Sequence, residues 1–375
     1  MPTPIEPITR RETVSRRDFL HATGTAAAGL LLAGCQTPAA PTAIPTVAPT
    51  AAPKPRVAIA RALDYDRATI ENQVAALIDQ VGGLGDVVKP GDSVAIKVNL
   101  TGGITSGMLN GLKPEDTYVT HPEVARALVR QVQAAGAKEV FIVEAVYEWE
   151  SYTAWGYEDL AAETGAVLID LNDSKPFGDF IEAPVGGLPG LIYQKFTLNK
   201  LVTDVDVFMS ISKMKNHYLA GVTHTMKNLY GLVPYRFYRL SEEDRYRSGF
   251  HGVEDETRAR LPRIIVDINR ARPINFGLVD GVLSTQGGEG PWISTLAAIQ
   301  PGLLVAGKNP VATDAVATAL MGHDPTGEYP DAPYFRTDNH LNLAAAAGLG
   351  TNRLDEIDVV GAVIDDVKIQ FSGAV

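Results

Sequence analysis

Short apolar runs rich in valine and isoleucine recur from Arg56 onward and alternate with stretches of helical spacing. "RVAIARA" (56–62), "SVAIKV" (93–98), "EVFIVE" (139–144), "AVLID" (166–170), "VDVFMSI" (205–211), "INFGLVD" (274–280), "LLVAG" (303–307) and "IDVVGA" (357–362) have the length and β-branched content of strands. Between the first two, Ile70, Val74, Leu77, Ile78 and Val81 fall on one face of a helix. "THPEVARALVRQVQAAG" reads as a second helix, opened by a capping box of Thr120 and Glu123 and ended by Gly136. Strands that alternate with helices predict an α/β fold, a mostly parallel sheet with helices on both faces. Residues 234–262, rich in Arg, Tyr and acidic side chains, break the pattern and read as an inserted surface excursion.

The first 55 residues follow a different logic. Arg16 and Arg17 in "SRRDFL" precede a short, weakly apolar stretch that ends in "LAGC", which resembles a twin-arginine export signal joined to a lipoprotein signal. The resemblance implies handling by the twin-arginine export machinery, cleavage before Cys35, a lipid on Cys35 and an extracytoplasmic, membrane-anchored protein. The apolar run is too short to span a bilayer stably. Residues 36–55, "QTPAAPTAIPTVAPTAAPKP", favour extended polyproline II, and at about 3.1 Å per residue such a tether reaches roughly 60 Å. The expected division is therefore a signal at 1–35, a linker at 36–55 and one α/β domain at 56–375.

Charge and cysteine content narrow the chemistry. A formal net charge of -11 argues against nucleic acid as a partner, because phosphate neutralisation needs a basic face. Cys35 is the single cysteine, which leaves the domain without thiolates for an iron–sulfur cluster or a Cys-based zinc site. Any divalent metal would need nitrogen and oxygen ligands.

Ligands of open parallel sheets bind beyond the carboxyl ends of the strands. Those ends carry Lys97 and Asn99, Glu144, the run "SKMKNH" with Lys213, Lys215 and His217, and Asp280. Residues 212–231 hold Lys213, Lys215, Lys227, His217 and His224 without one carboxylate, and "SKMKNH" directly after a strand would stand at the sheet rim. The expected site is a crevice for a small anion. Lys97, Asn99, Lys213, Lys227 and Asn228 are its ligand-binding candidates, and His217, Lys215 and Glu144 its catalytic candidates. His217, His224 and Asp280 are the candidate metal ligands. His121, at a helix start, is a further candidate for the crevice, and Asp314 reads equally as a ligand or as a buried hydrogen-bond partner. The loop 99–120 has the length of a lid, and the Gly-rich loop 284–294 could offer backbone N–H groups to an anion.

"IKVNL", "THPEVARALV", "AGAKEVFIVE", "SKMKNHYLAGVTHTMKNLYGLVP", "LVDGV", "GGEGP" and "NPVATDAVATALMG", in this order, resemble the domain-of-unknown-function 362 family over residues 57–350. Some members of that family join this domain to a ferredoxin-like segment with clustered cysteines, which this chain lacks. A shorter similarity is to the nickel-pincer lactate racemase family, whose Arg-x-Lys-Pro-His element would correspond to Lys213, Lys215, Asn216 and His217, with Lys227 later and without the proline. It implies an anion-grasping, metal-assisted site. Two functions remain open: a membrane-tethered enzyme or cofactor protein acting on a small anion, and a non-catalytic lipoprotein that binds a ligand or partner. For the tether, Cys35→Ser should leave the protein exported but soluble; its retention on membranes after a high-salt wash would overturn the lipoprotein expectation.

Overall fold

Burial from both sides decides how the strands are used. In the computed structural model, Val94 and Ile96 of β2 (Ser93–Lys97) pack into a core with helices α1 (Arg67–Gln80) and α2 (Pro122–Ala134). Ala95, between them, joins a second core with Leu261 and Ile264 of helix α4 (Thr257–Ala271). Each strand thus spends alternate side chains on opposite layers, as its near-continuous apolar run requires. The structure describes residues 53–373 apart from 177, 188, 245, 246, 254 and 255, so the export signal, Cys35 and the linker up to residue 52 lie outside the described residues.

Among the described residues the main sheet has ten strands. Its path runs β12 (Asp358–Gly361), β1 (Arg56–Arg61), β11 (Leu303–Gly307), β9 (Phe276–Gln286), β7 (Val207–His217), β2, β3 (Glu139–Glu144) and β4 (Val167–Asp170). All neighbours are parallel except β11, which runs antiparallel to β1 and β9. The fold is the mostly parallel α/β sheet that the apolar pattern predicts. Short β8 (Gly221–Thr223) and β10 (Ala297–Ile299) add antiparallel pairs to β7 and β9. A separate hairpin of β5 (Phe180–Pro184) and β6 (Lys195–Asn199) was not evident in the sequence, because its half-exposed strands lack a long apolar run.

Three expectations are corrected. "SKMKNH" is not a rim loop: β7 continues through it, all eleven residues buried, and β9 runs beside it for eleven residues to Gln286. Lys213 lies opposite Asp280, and a register shift then brings Lys215 opposite Thr285. The apolar count stops at Ile211 because Ser212, Lys213, Lys215 and Asn216 are polar, yet they are buried and the backbone ladder continues. The second helix is capped by His121, whose Nδ1 accepts the Glu123 N–H at 3.1 Å; Thr120 instead accepts the Asn99 N–H. The excursion ends earlier than residue 262, since Leu261 and Pro262 are buried within α4.

One buried carboxyl places the functional end of the sheet. Asp314, in helix α5 (Pro310–Leu320), accepts the Thr225 N–H at 2.9 Å, the Met226 N–H at 2.9 Å and the Thr225 hydroxyl at 2.6 Å. These bonds fix the start of the short helix α3 (Thr225–Asn228), which carries Lys227 and Asn228. Asp314 is therefore the buried hydrogen-bond partner of the two roles open to it. Buried donors stranded by its loss are costly, so Asp314→Ala should lower stability by about 3 kcal/mol in chemical denaturation. A loss under about 1 kcal/mol would mean that water replaces the carboxyl.

Candidate functional site

Beyond the ends of β2, β3 and β7 lies a cavity of about 550 Å³. Its floor is an ion pair: Lys97 Nζ is 2.7 Å from Glu144 Oε1, both side chains being buried. The same ammonium donates to Val98 O at 2.7 Å and to Asn228 Oδ1 at 3.2 Å, so its three protons are spent within the protein. Glu144 is equally occupied, accepting the Leu100 N–H at 2.9 Å and the Ala145 N–H at 3.1 Å. Asn228 ties the floor to β7 through Ser210 Oγ and Ile211 O, and Asn99 donates to Asn228 Oδ1. Burial lowers the Lys97 ammonium to about 8 against the opposing pull of Glu144. Gly231 closes over this pair: a Cβ there would collide with Glu144 Oε1 and Lys97 Nζ.

Lys227 is in a different condition. It lines the cavity, its Nζ stands 4.3 Å from the centroid of the Tyr230 ring, and among the described residues it has no hydrogen-bond acceptor. Burial lowers it to about 8, with Glu289 opposing the shift. His217, at the tip of β7, turns Nδ1 to the Leu219 N–H at 3.1 Å. Burial and the neighbouring Lys227 hold the imidazole well below its ordinary range, so it is neutral at pH 7. With Nδ1 accepting, the single proton sits on Nε2 and makes His217 an N–H donor. Glu289 accepts the Tyr218 N–H at 2.9 Å and the Trp292 indole N–H at 3.1 Å, which braces two walls of the cavity.

The cavity thus brings together Lys97, Asn99, Glu144, His217, Lys227 and Asn228 from the sequence-derived set. Five others are placed elsewhere. Lys213 Nζ binds Asp280 Oδ2 at 3.0 Å and Tyr65 Oη at 2.6 Å, fully buried. Asp280 also accepts the Tyr65 hydroxyl and the His121 and Val282 N–H groups, and so has no capacity left for a ligand. Lys215 donates to Tyr118 O and Glu289 O beneath the cavity wall, and burial lowers it to about 7. His224 is buried outside the cavity lining, with neither ring nitrogen bonded among the described residues. His121 stacks on Tyr65, with centroids 3.7 Å apart, and caps its own helix, so it does not enter the crevice. In the loop 284–294 the Glu289 carbonyl accepts from Lys215 and its carboxylate from the Tyr218 N–H and the Trp292 indole.

The expected metal set does not assemble. His217, His224 and Asp280 are held apart, and no group of three or more His, Cys, Asp or Glu among the described residues is placed to hold a metal ion. The chemistry of His217 also disagrees: a metal on Nε2 needs the proton on Nδ1, where the Leu219 N–H already donates.

The sequence analysis missed Arg247, His251, Tyr230 and Trp292, all of which line the cavity. Arg247 is anchored by Val233 O at 2.6 Å and Ala145 O at 3.2 Å. The Tyr230 hydroxyl donates to Arg247 O at 3.0 Å, which leaves its oxygen to accept from His251 Nε2 at 3.0 Å. Burial lowers His251 to about 4. The signal available for Arg247 and His251 was the Arg and Tyr content of the 234–262 excursion, which folds back over the sheet end.

Fold and cavity together define an α/β protein with a crevice at the carboxyl edge of a mostly parallel sheet. The chain belongs to the family described as a domain of unknown function (DUF362), whose sequence profile matches residues 94–319. It is 26% identical over 276 residues to a thylakoid-associated protein of Synechocystis sp., covering 72% of this chain and 75% of that protein. Among solved structures it is similar to the lactate racemase apoprotein from Thermoanaerobacterium thermosaccharolyticum, at 15% identity and a TM-score of 0.36, over 66% of this chain and 54% of that one. A Thermotoga maritima protein aligns at 15% identity and a TM-score of 0.34, over 60% and 52% of the two chains. The chain spans about half the length of these two solved structures.

Gly231→Ala tests the floor. Separating a buried pair strands its charges, at a cost of about 3–5 kcal/mol. The variant should therefore be destabilised by that order in urea titration, and unchanged stability would show that the pair moves aside freely.

Proposed function

We infer that this chain is an exported, lipid-tethered protein whose cavity holds a small anionic ligand on Lys227 and His217. The observation that carries this is the unpaired Lys227 ammonium, which lies in a cavity where the other lysine is saturated by protein acceptors. A buried cation without an acceptor is costly, and an anion relieves that cost. The neutral His217 lines the same cavity as a second donor, and Arg247, which like Lys227 lies against the Tyr230 ring, adds positive potential. Support for export and tethering comes from "SRRDFL" and "LAGC". The relative's description as thylakoid-associated accords with a place beside a membrane.

A second function, a proton-transfer enzyme, is favoured by one feature: the lowered Lys227 can release its proton near pH 8. In that case Lys227 takes the role expected of Glu144 and Lys215, whose polar atoms are already engaged by protein partners. Lys227→Arg separates the two functions, since a guanidinium keeps the charge but does not transfer the proton.

Calorimetry with acetate and inorganic phosphate is the direct test. Lys227→Met should weaken the better ligand by roughly tenfold or more, the contribution of a charge-assisted bond. Unchanged affinity would reject the anion site. The pH dependence with acetate, which keeps its charge above about pH 6, has a fixed sign: binding requires the ammonium, so affinity should be nearly flat between about pH 6 and 7. Above about pH 8 it should fall by up to about tenfold per pH unit. Lys97, near 8, and Lys215, near 7, titrate in the same direction and broaden the fall, whereas His217 and His251 stay neutral throughout. Affinity that rises with pH would contradict the assignment.

A further inference from the structure

The charges lining the cavity do not cancel. Lys97, Lys227 and Arg247 face Glu144 and Glu289, while His217 and His251 are neutral near pH 7, so one positive charge is left over. Both carboxylates are spent, Glu144 on Lys97 and two backbone N–H groups, and Glu289 on Tyr218 and Trp292. Lys215, just outside the lining, is held by two carbonyls. Arg247 is held by the carbonyls of Val233 and Ala145, so the net surplus of one is shared between Arg247 and Lys227; of the two, Lys227 is the one without a protein acceptor among the described residues, and the net value matches one anionic group. A diphosphate would bring several charges against a net surplus of one and leave the remainder desolvated and unpaired.

A single carboxylate fills little of a cavity of about 550 Å³. Cavities of about 300–1,000 Å³ hold whole organic molecules. Between its polar groups the cavity carries apolar surface: Leu100, Leu219, the ring of Tyr230 beside Lys227 and the indole of Trp292. Trp292 is fixed in place. Its N–H is bonded to Glu289, and its ring occupies the space that a Cβ on Gly102 or Gly290 would need. Yet the side chain is half exposed, at 48%. The indole meets the Tyr118 ring edge-on, with centroids 6.4 Å apart, and its partly uncovered face is a surface on which a further ring can stack.

We propose that the ligand is a monoanion with an aromatic body, its carboxylate between Lys227 Nζ and His217 Nε2 and its ring against Trp292. This rests on the anion-binding function inferred above and names the ligand class for the same site.

The test is calorimetry on the full chain with acetate, benzoate, 2-naphthoate and pyrophosphate at low salt. Affinity should rise roughly tenfold or more from acetate to 2-naphthoate, and pyrophosphate should bind more weakly than 2-naphthoate. Trp292→Ala should remove most of that rise while leaving acetate within about twofold, and Trp292→Phe should retain it. If Trp292→Ala fails to fold, Trp292→Leu against Trp292→Phe supplies the same comparison. Tighter binding of pyrophosphate, or a rise that survives loss of the aromatic ring, overturns the proposal. Lys227→Met separates the two levels. If it weakens every carboxylate while body size has no effect, only the aromatic body is wrong; if it weakens none, the anion site itself is wrong.

Discussion

An ammonium group taken out of water must find acceptors, and this end of the molecule is organised by how its four buried lysines meet that demand. Lys213 finds a carboxylate and a phenol, Lys215 two carbonyls, and Lys97 a carboxylate, a carbonyl and an amide oxygen. The first two of these arrangements bind β7 to β9 and to the segments packed on them, and the third joins β2, β3 and α3. Lys227 alone of the four is left on an aromatic face, which has a weak hold on a cation compared with a carboxylate. Structure and binding capacity are thus divided among chemically identical side chains by the partners each one reaches.

Much of this was legible because strand period and strand ends are local properties. The apolar runs located eight strands of the main sheet, and the rule that ligands sit at carboxyl ends led directly to Lys97, Asn99, Glu144 and His217. What the sequence could not distinguish was a lysine that faces a cavity from one that faces a carboxylate. That depends on register: Lys213 lies opposite Asp280 only because β7 and β9 run side by side far beyond their apolar segments. The contributions of Arg247, His251 and Trp292 were hidden for a related reason, since they come from segments without periodicity whose path is set by distant contacts. His121 shows the converse error. Its position at a helix start was correctly located, but its ring is used within its own turn, as the cap.

The histidines illustrate how hydrogen-bond inventory limits chemistry more tightly than residue type does. Imidazole can be acid, base or metal ligand in principle. Here a single backbone N–H, that of Leu219, assigns the His217 proton to Nε2, and a tyrosine hydroxyl already committed to Arg247 O makes His251 a donor at Nε2. Both rings are held neutral by burial, so they shape a ligand site without adding to its charge.

The pairing of Lys213 with Asp280 also constrains how such a chain can change over generations. Each residue sits on a different strand, and at full burial each is the other's ion-pair partner. Replacing either one by an apolar residue leaves an isolated charge in the core, and replacing both removes that charge but strands the Tyr65 hydroxyl and the His121 and Val282 N–H groups that Asp280 accepts. A change at either position therefore has to be matched at the other and among the donors around it.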